Sequence, residues 1–171
     1  MHGTADIYSN LTHSRLTEVL SYEATLGVFQ WKVTKGSKVV GSIAGCVAPS
    51  GYVLINIDGR LFRAHRLAWF YVYGEWPVAD VDHINRGRAD NRIVNLREAS
   101  RSQNLANKRC DERNKSGSKG VSWDKERGLW AAFIKKDKKS RFLGRYKTKQ
   151  EASAAYWQAA TTLFGQFARA A

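Results

Sequence analysis

The sequence predicts an α+β protein built in two parts, and three observations carry that prediction. Tyr52–Ile57 and Arg60–Ala64 flank Asp58-Gly59, a pair that suits a type I′ hairpin turn. Short segments at 120–123, 129–135 and 140–146 read as three strands, and an Ala-rich stretch opened by a Thr-x-x-Glu capping box follows them. The stretch between these regions is nearly all polar, charged or Gly, as a linker is. The expected division is a flexible terminus at 1–16, a first domain at 17–107, a linker at 108–117 and a second domain at 118–171.

The elements follow in order. Thr17 to Tyr22 predicts a short helix capped by Thr17, and Gly27 to Lys32 alternates as a half-buried strand does. Gly, Ser and Lys at 35–45 mark a loop, and the hairpin at 52–64 comes next. His65 to Tyr73 forms a helix that Gly74 stops, with Leu67, Ala68, Phe70 and Tyr71 available for packing. A further helix lies within 92–107 and starts near Ser100 or Ser102. In the second part, Thr148 caps a helix running to about Leu163, with Ala152, Ala155, Tyr156, Ala159 and Leu163 facing the sheet. Strand alternation turns Val121, Trp130, Ala132, Ile134 and Leu143 toward that helix. It turns Lys119, Ser122, Phe133, Lys135 and Phe142 outward, with Lys125 and Arg127 in the first turn.

Composition bounds the function. The chain has 171 residues, 43% of them hydrophobic, which excludes wholesale disorder. Its formal charge of +13 is uneven: residues 101–171 hold 17 Lys and Arg against 6 Asp and Glu, residues 1–100 only 11 against 9. Cations clustered in one half point to a polyanionic partner there, double-stranded DNA first. Cys46 and Cys110 fit neither a zinc site nor a disulfide framework. No signal peptide or membrane span is legible, so the expected setting is intracellular, cytoplasmic and DNA-associated, with no membrane partner.

Val81-Asp82-His83-Ile84-Asn85, with Asn95 and Asn104 downstream, carries the chemistry. Asp82 offers an anionic oxygen and Asn104 a neutral amide oxygen to a hard cation such as Mg²⁺, with Mn²⁺ or another divalent ion as alternatives. His83 is suited to deprotonate a water, and Asn95 to fix its tautomer from the other ring nitrogen. As chemistry alone the same residues also serve as surface charges, helix caps and loop residues. His65 has two readings, a phosphate contact or a brace for its helix. Arg92 and Arg97 are read as phosphate contacts or as solvated charge.

These residues, with His65-Arg66-Leu67-Ala68-Trp69, Asp90-Asn91-Arg92, Asn95-Leu96-Arg97 and Gln103-Asn104, resemble the phage and intron-borne HNH homing endonucleases over about 22–108. The resemblance implies a ββα-metal domain with His83 as general base, Asp82 and Asn104 as metal ligands and Asn95 orienting the histidine. It also implies DNA cleavage leaving 5′-phosphate and 3′-hydroxyl ends. Asn104 stands where other HNH enzymes have a final histidine, as in the homing branch.

Residues 117–169 resemble the APETALA/ethylene-response-factor DNA-binding domain through Gly120-Val121-Ser122-Trp123, Phe142-Leu143-Gly144-Arg145-Tyr146 and Phe164-Gly165-Gln166-Phe167-Ala168. That resemblance implies a three-stranded antiparallel sheet laid in the major groove, with one helix packed behind. Lys119, Ser122, Lys125, Arg127, Phe133, Lys135, Phe142 and Arg145 would contact DNA. Ser122 and Phe133 depart from the plant pattern, so plant sequence preference is not carried over. Two rivals remain at this level: a DNA-binding regulator that does not cut, and a structure-specific or packaging nuclease. Target sequence, nick or double-strand break, and monomer or dimer are not encoded legibly.

Overall fold

Thr12 caps the first helix with its side chain, accepting from the Arg15 N–H at 3.1 Å. The structure, a computed structural model, describes residues 10–34, 36, 38–111 and 113–169. Helix α1 (His13–Val19) therefore begins earlier than the expected Thr17 cap, because Leu16 and Val19 need one buried face. The chain continues directly into β1 (Leu20–Glu23), which pairs antiparallel with β2 (Val28–Trp31) in the register Leu20 to Trp31. Residues 1–9 of the expected flexible terminus, and positions 35 and 37 of the expected loop, lie outside the described residues.

A three-stranded sheet follows, ordered β3 (Cys46–Val47), β4 (Val53–Ile57) and β5 (Arg60–Arg63). Asp58 and Gly59 turn the β4–β5 hairpin with φ of 49° and 83°, the left-handed pair of a type I′ turn. Helix α2 (Ala64–Tyr73) leaves β5 without a break and ends at Gly74, whose φ of 76° is the left-handed cap. Strand β6 (Asp80–His83) then pairs with β7 (Leu96–Ala99) across a loop and a 3₁₀ turn at Ile93–Asn95. Leu16, Leu20, Ile55 and Leu67 are wholly excluded from water at the centre of this unit. Each such side chain contributes roughly 1.5–3 kcal/mol.

The chain forms two compact units that part between Glu98 and Ala99. That division precedes the polar stretch at 108–117, because α3 (Arg101–Asn107) is built into the second unit. Ser100 caps α3 in a capping box with Gln103. Ala99 and Ala106 are buried in one cluster with Ile134, Phe164, Phe167 and Ala168. Ser102 Oγ donates to the Asp137 carboxylate at 2.8 Å, and Arg169 Nε donates to Asn107 Oδ1 at 3.0 Å.

The rest of the second unit is an antiparallel sheet in the order β10 (Lys139–Tyr146), β9 (Leu129–Lys136), β8 (Val121–Asp124), backed by α4 (Lys149–Phe164). Thr148 and Glu151 close the capping box of α4. Val121, Ala132 and Ile134 are buried, whereas Ser122, Phe133, Lys135 and Phe142 are exposed. On α4 the buried stripe is Ala152, Ala160 and Phe164, with Tyr156, Ala159 and Leu163 partly buried beside it. Among the described residues no helix is long and apolar enough to cross a membrane.

Gly120 sets the entry to β8. Its φ is +63°, and a Cβ there would lie 2.1 Å from the Phe133 carbonyl oxygen and 2.5 Å from the Tyr156 ring. Backbone cannot yield as a flexible side chain does, so Gly120→Ala should lose more than about 2 kcal/mol of stability. Denaturant unfolding reads this as a lowered midpoint, and an unchanged midpoint would refute so close an approach.

Candidate active site

Strand β6 carries Val81, Asp82 and His83 into the interior in succession, all buried. The Ile84 N–H donates to the Asn95 carbonyl at 2.9 Å and ties the strand end to the 3₁₀ turn. Between them the loop is closed by side-chain amides. Asn95 Nδ2 donates to Asn85 Oδ1 at 3.0 Å and to the Asp90 carbonyl at 2.8 Å, while its Oδ1 accepts the Asn85 N–H at 3.0 Å. Asn95 thus has its amide committed to the loop.

The amide that meets the histidine is that of Asn91. His83 Nε2 lies 3.2 Å from Asn91 Oδ1, and Asn91 Nδ2 donates to the Ala89 carbonyl at 3.1 Å. The second bond decides which end of the amide is oxygen. Nε2 must then carry the proton and donate, leaving Nδ1 with the lone pair. The imidazole contact expected of Asn95 is thus made by Asn91. Asn91 is itself gripped from the β1–β2 hairpin: the Tyr22 hydroxyl donates to its carbonyl at 2.7 Å. Burial pushes that hydroxyl up to about 12, so it keeps its proton. Gly27, with φ +69°, lets the turn approach so closely that a Cβ would sit 2.3 Å from the Arg92 nitrogen.

Asp82 receives Arg97, whose Nε and terminal nitrogen lie 3.1 and 3.0 Å from Oδ2. Arg92 holds Asp90 through Nε and a terminal nitrogen at 2.8 and 2.6 Å, which keeps the Asp90 carboxyl down at about 2. Both arginines read from sequence as phosphate contacts are thus engaged by carboxylates. Burial moves His83 below its ordinary 6.5, against the opposing effects of Asn91 and the nearby Asp82 and Asp90 charges.

His65, in the first turn of α2, packs edge-to-face on His83 with ring centroids 4.9 Å apart. The Tyr52 ring meets both, at 5.2 Å from His65 and 6.0 Å from His83. His65 is buried, and its Nδ1 has no hydrogen-bond partner. Burial first, then the neighbouring His83, Arg63 and Arg66, depress it to about 3, so it is neutral in use.

Asn104, the second expected ligand, lies half-buried on α3 in the second unit, its N–H donating to the Ser100 carbonyl at 2.9 Å. In that unit Phe133 and Phe142 form an exposed ring pair with centroids 5.2 Å apart, and Arg145 lies 5.0 Å over Phe142. Arg145 Nε donates to Asp124 at 2.8 Å, and Arg127 approaches the same carboxylate at 3.7 Å. Lys119 is turned away from the outward role expected of it: its ammonium donates to the Ala106 carbonyl. Ser122, Lys125 and Lys135 are exposed.

Residues 62–106 match the HNH endonuclease family. Over 108 residues the chain is 32% identical to Protein 3.8 of Escherichia phage T7, an alignment covering 63% of this chain and 88% of that protein. The chain belongs to the family of phage T7 Protein 3.8. Within this Protein 3.8 relative, the HNH domain takes in His65, Asp82, His83, Asn91, Asn95 and Asn104, while Tyr22, Gly27 and Tyr52 lie before it. No solved structure matches the chain. Asp90-Asn91-Arg92 is legible as a motif, but Asn91's role depends on a side-chain direction that spacing does not encode. Nothing in the sequence singles out Tyr52.

The buried His65 has a consequence for stability. The unfolded chain binds a proton at His65 below its ordinary 6.5, whereas the folded chain resists until about 3. Stability from this residue is complete above 6.5 and is lost as pH falls, by about 1.4 kcal/mol per unit. His65→Phe should flatten the fall in melting temperature between pH 6.5 and 5, where carboxylates are still charged. An equal slope in both proteins would refute the buried neutral state.

Proposed function

We propose that this protein is a divalent-metal-dependent DNA endonuclease of the HNH homing type, with Mg²⁺ as the expected cation. The observation that carries the reading is the bond between Asn91 Oδ1 and His83 Nε2, which leaves a basic Nδ1 on a buried imidazole beside Asp82. His83 Nδ1 takes a proton from water, the hydroxide attacks the phosphodiester phosphorus, and the bond to the 3′ oxygen breaks, that oxygen taking a proton from solvent water. The products carry a 5′-phosphate and a 3′-hydroxyl.

Asp82 would be the carboxylate ligand, and the cation would stabilise charge on the phosphorane and the departing oxygen. Among the described residues no three His, Cys, Asp or Glu side chains converge. A hard carboxylate oxygen such as that of Asp82 fits a cation that keeps several waters, as Mg²⁺ does. The second unit would bind the DNA major groove through the sheet face bearing Ser122, Phe133, Lys135 and Phe142, with Lys125, Arg127 and Arg145 at its edge. An exposed aromatic pair amid cations supports this, since rings meet thymine methyls and sugars while cations meet phosphates.

Supercoiled plasmid incubated with Mg²⁺ should be nicked or linearised, and EDTA should stop the reaction. His83→Ala should slow cleavage by about 100- to 10,000-fold, and Asn91→Ala by about 10- to 100-fold. Mg²⁺-dependent cutting by His83→Ala at the parent rate would sink the assignment of the base. Binding without cutting by the parent would favour the regulator.

The pH dependence has a definite sign. The competent imidazole is the neutral one, and burial keeps it neutral to lower pH. The acid limb of the cleavage rate should therefore lie below 6.5, and a limb centred above that value would contradict the site.

A further inference from the structure

Five arginines of the first unit fall into two kinds. Arg15, Arg92 and Arg97 each face a carboxylate: Asp58 and Glu18, Asp90, and Asp82. Arg63 and Arg88 are exposed and, among the described residues, pair with none. Both nevertheless have defined positions. The Arg63 guanidinium carbon lies 4.8 Å from the Tyr52 ring centroid, and that of Arg88 lies 5.1 Å from it. A terminal nitrogen of Arg88 also donates to the Ser50 carbonyl at 2.7 Å. Its stem passes 3.6 Å from where a Cβ on Gly51 would be, an ordinary van der Waals distance.

The same Tyr52 ring touches His65 and His83. Two cations without carboxylate partners are therefore fixed on the aromatic residue that borders the imidazole pair. Stacking uses the face of a guanidinium and leaves donors along its edge, the geometry that grips a phosphate through two N–H groups. Holding exposed cations in place before a ligand arrives lowers the entropy lost on binding. A carboxylate partner would cancel that charge, and none is supplied.

We propose that Arg63 and Arg88, seated on Tyr52, form a clamp for a backbone phosphate of the DNA strand that enters the His83 site. This rests on the nuclease reading and names the group that seats the strand.

The test uses full-length protein and a DNA duplex over a salt series, in a His83→Ala background that binds without cutting. Arg63→Gln with Arg88→Gln should reduce the slope of log K against log salt by roughly 1 to 2, since each phosphate the protein no longer neutralises keeps about one counterion bound. With His83 intact, the same pair should slow cutting at saturating DNA by at least about 10-fold, because a displaced strand misses the attacking water. Arg15→Gln, which removes an already neutralised cation, should leave both readouts unchanged. Lysine at both positions should restore the slope but not the cutting rate. An unchanged slope in the Gln pair, or full rescue of both readouts by lysine, overturns the clamp. Should the parent cut no DNA at all, the nuclease reading fails, and the salt slope alone decides whether the phosphate clamp stands.

Discussion

A single buried amide, Asn91, holds the first unit's polar interior together. Its oxygen meets His83, its nitrogen meets the Ala89 carbonyl, and its own carbonyl takes the Tyr22 hydroxyl. A buried polar group left without a partner loses about 1–3 kcal/mol, so these bonds constrain one another. Tyr22 can reach only because the β1–β2 turn lies against the 91–92 backbone, which requires Gly27 to lack a side chain. The hairpin that precedes the HNH region is in this sense part of the scaffold of the candidate site. Asn95 and Asn85 then close the loop that Asn91 anchors.

Electrostatics in this chain are organised by cancellation as much as by accumulation. The formal charge of +13 is a net figure. Several of the chain's arginines are matched: Arg145 and Arg127 share Asp124, Arg113 takes Asp111, and Arg92 takes Asp90. Exposed pairs of this kind add little stability, so their larger effect is to decide which cations keep a field. In the second unit, Lys125 and Lys135 face solvent and, among the described residues, have no such partners, on or beside the sheet that presents Phe133 and Phe142.

Much of this is legible in the chain itself, and the reasons differ by element. The Asp58-Gly59 hairpin and the Thr148 capping box are local, so short-range chemistry encodes them fully. The α+β class follows from those same periodicities. The start of α1 is not legible, because Thr12 and Thr17 are both adequate caps and only the burial of Leu16 selects the first. Asp82 and His83 stand out by their chemistry, and the structure buries both. The orienting amide does not stand out. Asn91 and Asn95 sit four positions apart with the same functional group, and only the Ala89 and Asp90 carbonyls sort them. Tyr52 and the arginines around it come from separate segments, the β4 entry, the end of β5 and the loop after β6, so only folding assembles them.

The HNH match ends at residue 106, yet the chain's compact units divide at 98–99. Helix α3 therefore belongs to one module by sequence ancestry and to another by its buried contacts, through Ala106, Asn107 and Ser102. Were two such genes to exchange segments, a crossover in the polar stretch after Lys108 would look harmless in an alignment. It would leave α3 without Phe164, Phe167 and Arg169 around it. A break before Ala99 would keep those contacts but divide the HNH match, so no single seam spares both.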